Sequence, residues 1–234
     1  MNSAGALDSV IRDRLFVFDM DGTLLIKTTA CLEIAKTIGT LDHLHALEEQ
    51  FAGGAIDAPR FAREIASLWG AIDEKIIRRA FEDTPKLQNI KAVTEMIRSG
   101  GGKSCLITMS PDFYARLFFE YGFDFIEASR FSRSSTGQAC PEKILSPESK
   151  TVIVNQLCCG LGFDMRKCVA FGDSMSDYVL FRELQHTVAV NADCKLKSLA
   201  QYHYEGVDLY EAVLAVCKEL PRERSVTVVR GALP

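Results

Sequence analysis

The chain has 234 residues, 47% of them hydrophobic and 25% charged, with a formal net charge of −4. This composition is that of an ordinary soluble globular protein, with room for one large domain or for a core with a smaller insert. It excludes a basic nucleic-acid face, because no cluster of lysine and arginine can form one, and its apolar runs are too short to span a membrane.

Residues 1–12 read as loose or weakly helical, and MNSAGALDSVIRDR has no apolar stretch after a basic start, so no signal peptide is expected. RLFVFD, residues 14–19, is a continuous apolar run, the pattern of a strand buried on both faces. It runs straight into Asp19-Met20-Asp21-Gly22-Thr23. Aspartate is a poor strand residue, and two carboxylates at the mouth of a buried strand repel each other, so folding alone gives no reason for them. From 28 to 84 the segments ACLEIAKTI, LHALEEQF, PRFAREIASLW and EKIIRRAF all carry helical apolar spacing with no strand between them. This stretch is expected to be a helical insert, with hinges near 26–29 and 84–88.

After Pro85 the alternation resumes. NIKAVTEMIRSG predicts a helix closed by Gly100, residues 103–108 a strand, DFYARLFFEYG a helix and residues 123–128 a strand. Residues 130–149 are polar and read as a hairpin or loop. A helix beginning near Lys150 follows, then a strand at 167–172, a helix at SDYVLFREL, a strand at 186–190, and helices before a tail at 221–234. In that tail, VTVV could add an edge strand. Alternating strands and helices predict an α/β fold with a doubly wound parallel sheet, its core made by 13–27 and 85–220 and interrupted by 28–84.

Several tempting signals read as structural. GGGKS at 100–104 fails as a nucleotide loop, because the place where a Walker pattern needs its first glycine holds Ile97. His43 and His45 are two apart on an expected helix and face different ways, and His186 and His203 read as structural or exposed. Phe61, Trp69 and Phe81 read as core of the helical insert, with one of them free to line a pocket. The eight cysteines show no CxxC pair and no zinc spacing, so they are expected to be reduced and mostly buried, and the location cytoplasmic.

Doubly wound sheets bind ligands beyond the carboxyl ends of their strands. At those ends the sequence places Asp19 and Asp21, then Thr108 and Ser110, then Asp173 and Asp177, with Lys150 at a helix start. Thr108 directly ends its apolar run and is favoured over Ser110 as the hydroxyl. Lys143 and Lys167 are weaker candidates than Lys150, one lying in the polar loop and the other opening a strand at the wrong end. Four carboxylates in one cleft need compensating cations, and oxygen-only ligands favour Mg2+ over zinc.

The combination DxDGT, a hydroxyl at the second strand end, a lysine and GDxxxD resembles the haloacid dehalogenase-like superfamily. The helical insert after the first motif and the T-x-S-P form of the second are similar to its phosphoserine phosphatase-like branch, and the resemblance covers about residues 14–191. It implies a Rossmann-like core with a small helical cap, and a Mg2+-dependent phosphatase acting on a small-molecule phosphomonoester through an aspartyl-phosphate. A phosphomutase or phosphotransferase on the same core, or phosphoserine phosphatase specifically, is the alternative. By position, Asp19 would be the nucleophile and Asp21 the general acid and base. Thr108, with Ser110 as the alternative, would bond a phosphoryl oxygen, and Lys150 would hold Asp19 and the phosphate by charge. Asp19, Asp173 and the backbone carbonyl of Asp21 would bind Mg2+, and Asp177 would orient the metal's waters or Lys150. Gly22 would allow the sharp turn and Thr23 would cap it. The cap departs from the branch: the position expected to hold a glutamate is Thr28, with Glu33 the next acid, and the branch's cap arginine has no secure counterpart, Arg60 and Arg63 being the nearby candidates. The expected partner is a small phosphate ester, with no nucleic acid and no membrane; monomer and homodimer both stay open.

Overall fold

The computed structural model describes residues 3–221. Its strands are β1 (Leu15–Phe18), β2 (Lys103–Pro111), β3 (Phe125–Arg133), β4 (Ala139–Lys143), β5 (Val169–Gly172), β6 (His186–Val190) and β7 (Tyr202–Tyr204). They form one sheet in the order β4-β3-β2-β1-β5-β6-β7. Every neighbouring pair is parallel except β3 and β4, which make an antiparallel hairpin. Strand order reverses at β1, which has β2 on one edge and β5 on the other, so a crevice opens beyond the carboxyl end of β1.

The helices are α1 (Ser3–Ile11), α2 (Ala30–Ile38), α3 (Leu41–Ala52), α4 (Ala58–Trp69), α5 (Glu74–Asp83), α6 (Ile90–Ser99), α7 (Asp112–Ala115), α8 (Pro147–Leu161), α9 (Tyr178–Glu183), α10 (Cys194–Leu199) and α11 (Leu209–Glu219). Residues alternate across β1: Phe16 and Phe18 join the core that holds α6 and α11, while Leu15 and Val17 join the core that holds α8, α9 and α10. Phe18 stacks on Phe171 of β5, with ring centroids 4.7 Å apart. Burial on both faces explains why β1 is apolar throughout.

The helices α2 to α5 lie between β1 and β2. The chain enters and leaves this stretch at one place, where Ile26 N donates to Pro85 O (2.9 Å) and Leu87 N donates to Leu24 O (2.9 Å). At the far side, Trp69 of α4 packs edge-on against Phe113 (5.6 Å) and at a tilt against Phe131 of the β3–β4 hairpin (5.8 Å).

Several boundaries differ from the sequence reading. Residues 3–11 are a regular helix, because Ile11 is fully buried against the turn into β2. A Cβ on Gly100 or Gly102 would lie 2.7 or 2.9 Å from Ile11 Cγ2, so these glycines serve close packing. The strands β2 and β3 run past their expected ends, and β3 continues into the hairpin. The helix expected over the whole of DFYARLFFEYG is α7 followed by a 3-10 segment, Arg116–Tyr121. The helix α8 starts at Pro147, three residues before Lys150, with proline in its first turn and Ser149 Oγ accepting from Ser146 N (3.0 Å). The strand β7 was not expected at all. Four cysteines are buried, whereas Cys140, Cys159 and Cys194 are exposed, and all eight are free thiols. The expected tail with VTVV lies outside the described residues. Among the described residues, no helix is long and apolar enough to cross a membrane.

Candidate active site

Each candidate residue sits just past the end of a strand or at the start of a helix. Asp19 follows β1, with its N–H bonded to Phe171 O (2.9 Å). The next residues, Met20–Leu24, form a tight turn. Gly22 takes a left-handed φ of 76°, and a Cβ there would lie 2.1 Å from Asp173 Oδ2, so only glycine lets the two motifs meet. Gly172 plays the same part on the other side, since its Cβ would lie 2.4 Å from Asp177 Cγ. Thr23 is fully buried, and its hydroxyl has no side-chain hydrogen-bond partner, so it does not cap the turn in the way expected.

Lys150 is 1% exposed and places its ammonium between two carboxylates, 2.6 Å from Asp19 Oδ1 and 2.6 Å from Asp177 Oδ1. Burial opposes its charge, but Asp177 and Asp19 outweigh that and raise its pKa above the lysine range. Asp177 also receives Asp173 N–H on its other oxygen (3.2 Å). Asp177 thus contacts Lys150 and also stands beside Asp19 and Asp173, so both roles the sequence offered stay compatible with its position.

Asp21 faces a different environment. Its Oδ1 accepts from Ala30 N at the start of α2 (2.7 Å), and its Oδ2 accepts from Thr108 Oγ1 (3.1 Å). Thr108 Oγ1 also accepts from Ser110 N (3.0 Å), so both hydroxyl residues of the second strand end are drawn to Asp21. Burial raises the pKa of Asp21, and bonds from Ser110, Ala30 N–H and Thr108 only partly oppose it. Asp19 is also raised: burial outweighs the Lys150 charge, and Asp177, Asp173 and Asp21 add to it. Asp173 is pushed up to about 7, first by burial and then by the charges of Asp177 and Asp21. Burial in a dry cleft is the common cause, and an excess of negative charge adds to it at Asp19 and Asp173.

This excess fits a bound cation. Carboxylate oxygens of Asp19, Asp173 and Asp177 all lie within 4.8 Å of one another. Asp173 Oδ1 is buried with no hydrogen-bond partner, an orphan acceptor aptly satisfied by a hard divalent ion. The carboxylate of Asp21 is not in this group, being turned toward Thr108 and α2.

Two cavities adjoin at Asp21. One, of about 450 Å³, is lined by Asp19, Asp21, Lys27, Asp173 and Ser176. The other, of about 280 Å³, is walled by Phe51, Phe61, Ile65, Trp69, Pro111 and Phe131. Sequence reasoning missed Lys27 and Ser176, which carry no motif signal of their own. It also passed over Gly172, although GDxxxD contains it. Thr28 and Glu33 are buried and bonded to each other (2.5 Å), and Glu33 also pairs with Lys36 (2.7 Å). Arg60 is exposed and 3.6 Å from Glu64, and Arg63 is exposed; neither lines either cavity.

A family model described as haloacid dehalogenase-like hydrolase matches residues 16–182. Among curated proteins, a phosphoserine phosphatase of Archaeoglobus fulgidus is 25% identical over 195 residues, which cover 80% of this chain and 55% of the relative. The chain thus matches about half the length of that relative. A phosphoserine phosphatase of Idiomarina loihiensis is 26% identical over 203 residues, 84% of this chain and 90% of the relative. Among solved structures, a phospho-aspartyl intermediate analogue of phosphoserine phosphatase superposes with a TM-score of 0.73 at 21% identity, covering 87% of this chain and 99% of its own. A Salmonella enterica HAD family hydrolase gives a TM-score of 0.75 at 16% identity, covering 82% and 67%. The structural likenesses show a common fold.

Proposed function

The chain belongs to the haloacid dehalogenase-like hydrolases, and from that premise we propose that it is a Mg2+-dependent phosphatase of small phosphomonoesters. The observation that carries this reading is the division of labour between Asp19 and Asp21. They stand one residue apart, yet one is held against a buried lysine and the other between a helix N–H and a hydroxyl. Such a split sets one carboxylate to attack and its neighbour to handle a proton.

Asp19 attacks phosphorus, forming the aspartyl P–O bond as the ester P–O bond breaks, and the departing alkoxide takes its proton from Asp21. Water then attacks the same phosphorus and gives a proton to Asp21, the P–O bond to Asp19 breaks, and inorganic phosphate leaves. Asp21 has to start protonated, and its raised pKa favours that. Lys150 holds Asp19 in place and faces the phosphoryl oxygens with positive charge. Thr108 and Ser110 stand where a phosphoryl oxygen would compete with Asp21 for their donors. A bound Mg2+, held by Asp19, Asp173 and the Asp21 backbone carbonyl with Asp177 in support, would supply the positive charge the cleft lacks. The segment 28–84 acts as a cap over the core of 13–27 and 85–220. Eight cysteines with no paired spacing suit a reducing compartment, and the cytoplasm is the location we favour.

The test is phosphate release from a panel of phosphomonoesters, with Mg2+ and with EDTA. Release should need Mg2+, vanish in Asp19→Asn and fall about 10²–10⁴-fold in Asp21→Asn. A folded, Mg2+-bound protein that releases phosphate from no ester would overturn the reading.

A further inference from the structure

The phosphoryl group and the alcohol it leaves need different surroundings, and the two cavities at Asp21 provide them. The larger cavity holds the charges: Asp19, Asp173 and Lys27 line it. The smaller one is walled mostly by aromatic and aliphatic side chains from α3, α4, the end of β2 and the hairpin, with Thr29, Cys31 and Ser110 among its lining on the side shared with Asp21. Phe51 and Phe61 stack at 4.9 Å and 24°, with Phe51 38% exposed, which places this pair at the rim. Trp69 is 5% exposed and reaches Phe131 behind it. Among the described residues lining this cavity there is no lysine, arginine or histidine, and its two carboxylates are Asp21 and Glu48. Glu48 is already 3.3 Å from His45 Nδ1.

Resting on the phosphatase reading, we propose that the apolar cavity receives the leaving group, and that the substrate is the phosphate monoester of an alcohol bearing an uncharged aromatic group rather than of a hydroxy amino acid. Asp21 is the one acid that borders both cavities, so a proton donated there goes to an oxygen whose carbon chain points into the apolar one. A carboxylate on that chain would be stripped of water, find no cation, and face Glu48. The acid and the arginines that could recognise an amino acid stand elsewhere: Glu33 bonds Thr28 and Lys36, Arg60 lies beside Glu64, Arg63 is exposed, and neither arginine lines a cavity at Asp21. Size agrees with an aromatic group. An apolar cavity of about 150 Å³ holds benzene. At about 280 Å³ this one takes a ring with a short linker to the ester oxygen.

The experiment compares 2-phenylethyl phosphate with phosphoserine, with Mg2+ present, in wild type and Phe61→Ala. A kcat/KM about 10-fold or more higher for the aromatic ester is expected, and Phe61→Ala should narrow that preference by about the same factor. Binding is read separately. Trp69 is the sole tryptophan of the sequence, so its fluorescence should respond saturably to the non-hydrolysable 2-phenylethyl phosphonate and less to free phosphate. The folded state of the variant is checked by circular dichroism. Phosphoserine turned over as well or better, or a phosphonate that leaves Trp69 unchanged, would overturn the substrate class while Mg2+-dependent release kept the phosphatase reading intact. No Mg2+-dependent release from either ester or from the wider panel would overturn both.

Discussion

Asp173 shows how one carboxylate can couple charge, folding and cation binding. Burial and the neighbouring charges raise it from an ordinary value of 3.8 to about 7. Between those limits the folded chain holds a proton that the unfolded chain has released. The stability this proton contributes is therefore fully present below about 3.8 and is lost as pH rises through about 7. Asp19 and Asp21 are raised in the same direction. In EDTA at about pH 8, Asp173→Asn should melt at a higher temperature than wild type, and the gap should close toward about pH 5. Adding Mg2+ at the higher pH should stabilise wild type and leave the variant nearly unmoved. Equal melting temperatures at both pH values would show that Asp173 carries no such strain. These acids were readable from sequence because a carboxylate directly after an apolar strand has no folding purpose. Their pairing was less so: the sequence left Asp177 between two roles, and only the fold shows that it sits 2.6 Å from Lys150.

At the scale of elements, α8 carries the lysine that holds the site together. Its first turn is organised by Pro147, by Ser149 accepting from Ser146 N, and by Ser146 Oγ donating to Glu148 (2.7 Å). Replacing Ser146 by alanine should cost about 1 kcal/mol in urea unfolding, a usual value for a lost helix cap. Lys150 is anchored by two ion pairs, so the register of α8 should survive and the loss should appear in stability rather than in KM. The start of α8 was misplaced by three residues because the residues before Lys150 look like loop. The hairpin was ambiguous for a similar reason. Phe131 sits in the polar run RFSRSSTGQACPEK, and nothing local shows that it backs Trp69. The apolar cavity was illegible as a whole. Its walls come from helix faces whose spacing is that of any core, and they meet only when α4 packs on the hairpin.

Across the whole molecule, order should be graded from the sheet outward. The strand β1 is paired on both edges, by β2 and by β5. The linkers to α2–α5 rest on single bonds such as Ile26 N to Pro85 O. In native-state hydrogen exchange, β1 amides should exchange only through global unfolding, and those of Ile26 and Leu87 by easier local opening. Uniform protection across both would show that the two parts open as one. The doubly wound sheet was legible because parallel strands buried on both faces leave continuous apolar runs. The three-residue β7 left none.

That same junction has a consequence for how such a protein can change over time. A stretch that departs and returns through neighbouring backbone bonds behaves as a cassette: its ends already meet, so a segment of other length or sequence can be spliced between Ile26 and Pro85 without re-threading the sheet. Such an exchange would leave the sheet in place, provided the incoming segment keeps an N–H where Ala30 meets Asp21 and an acceptor where Thr28 meets Gly22. On the substrate reading proposed above, grafting a foreign segment at these two residues would give this scaffold a new diet.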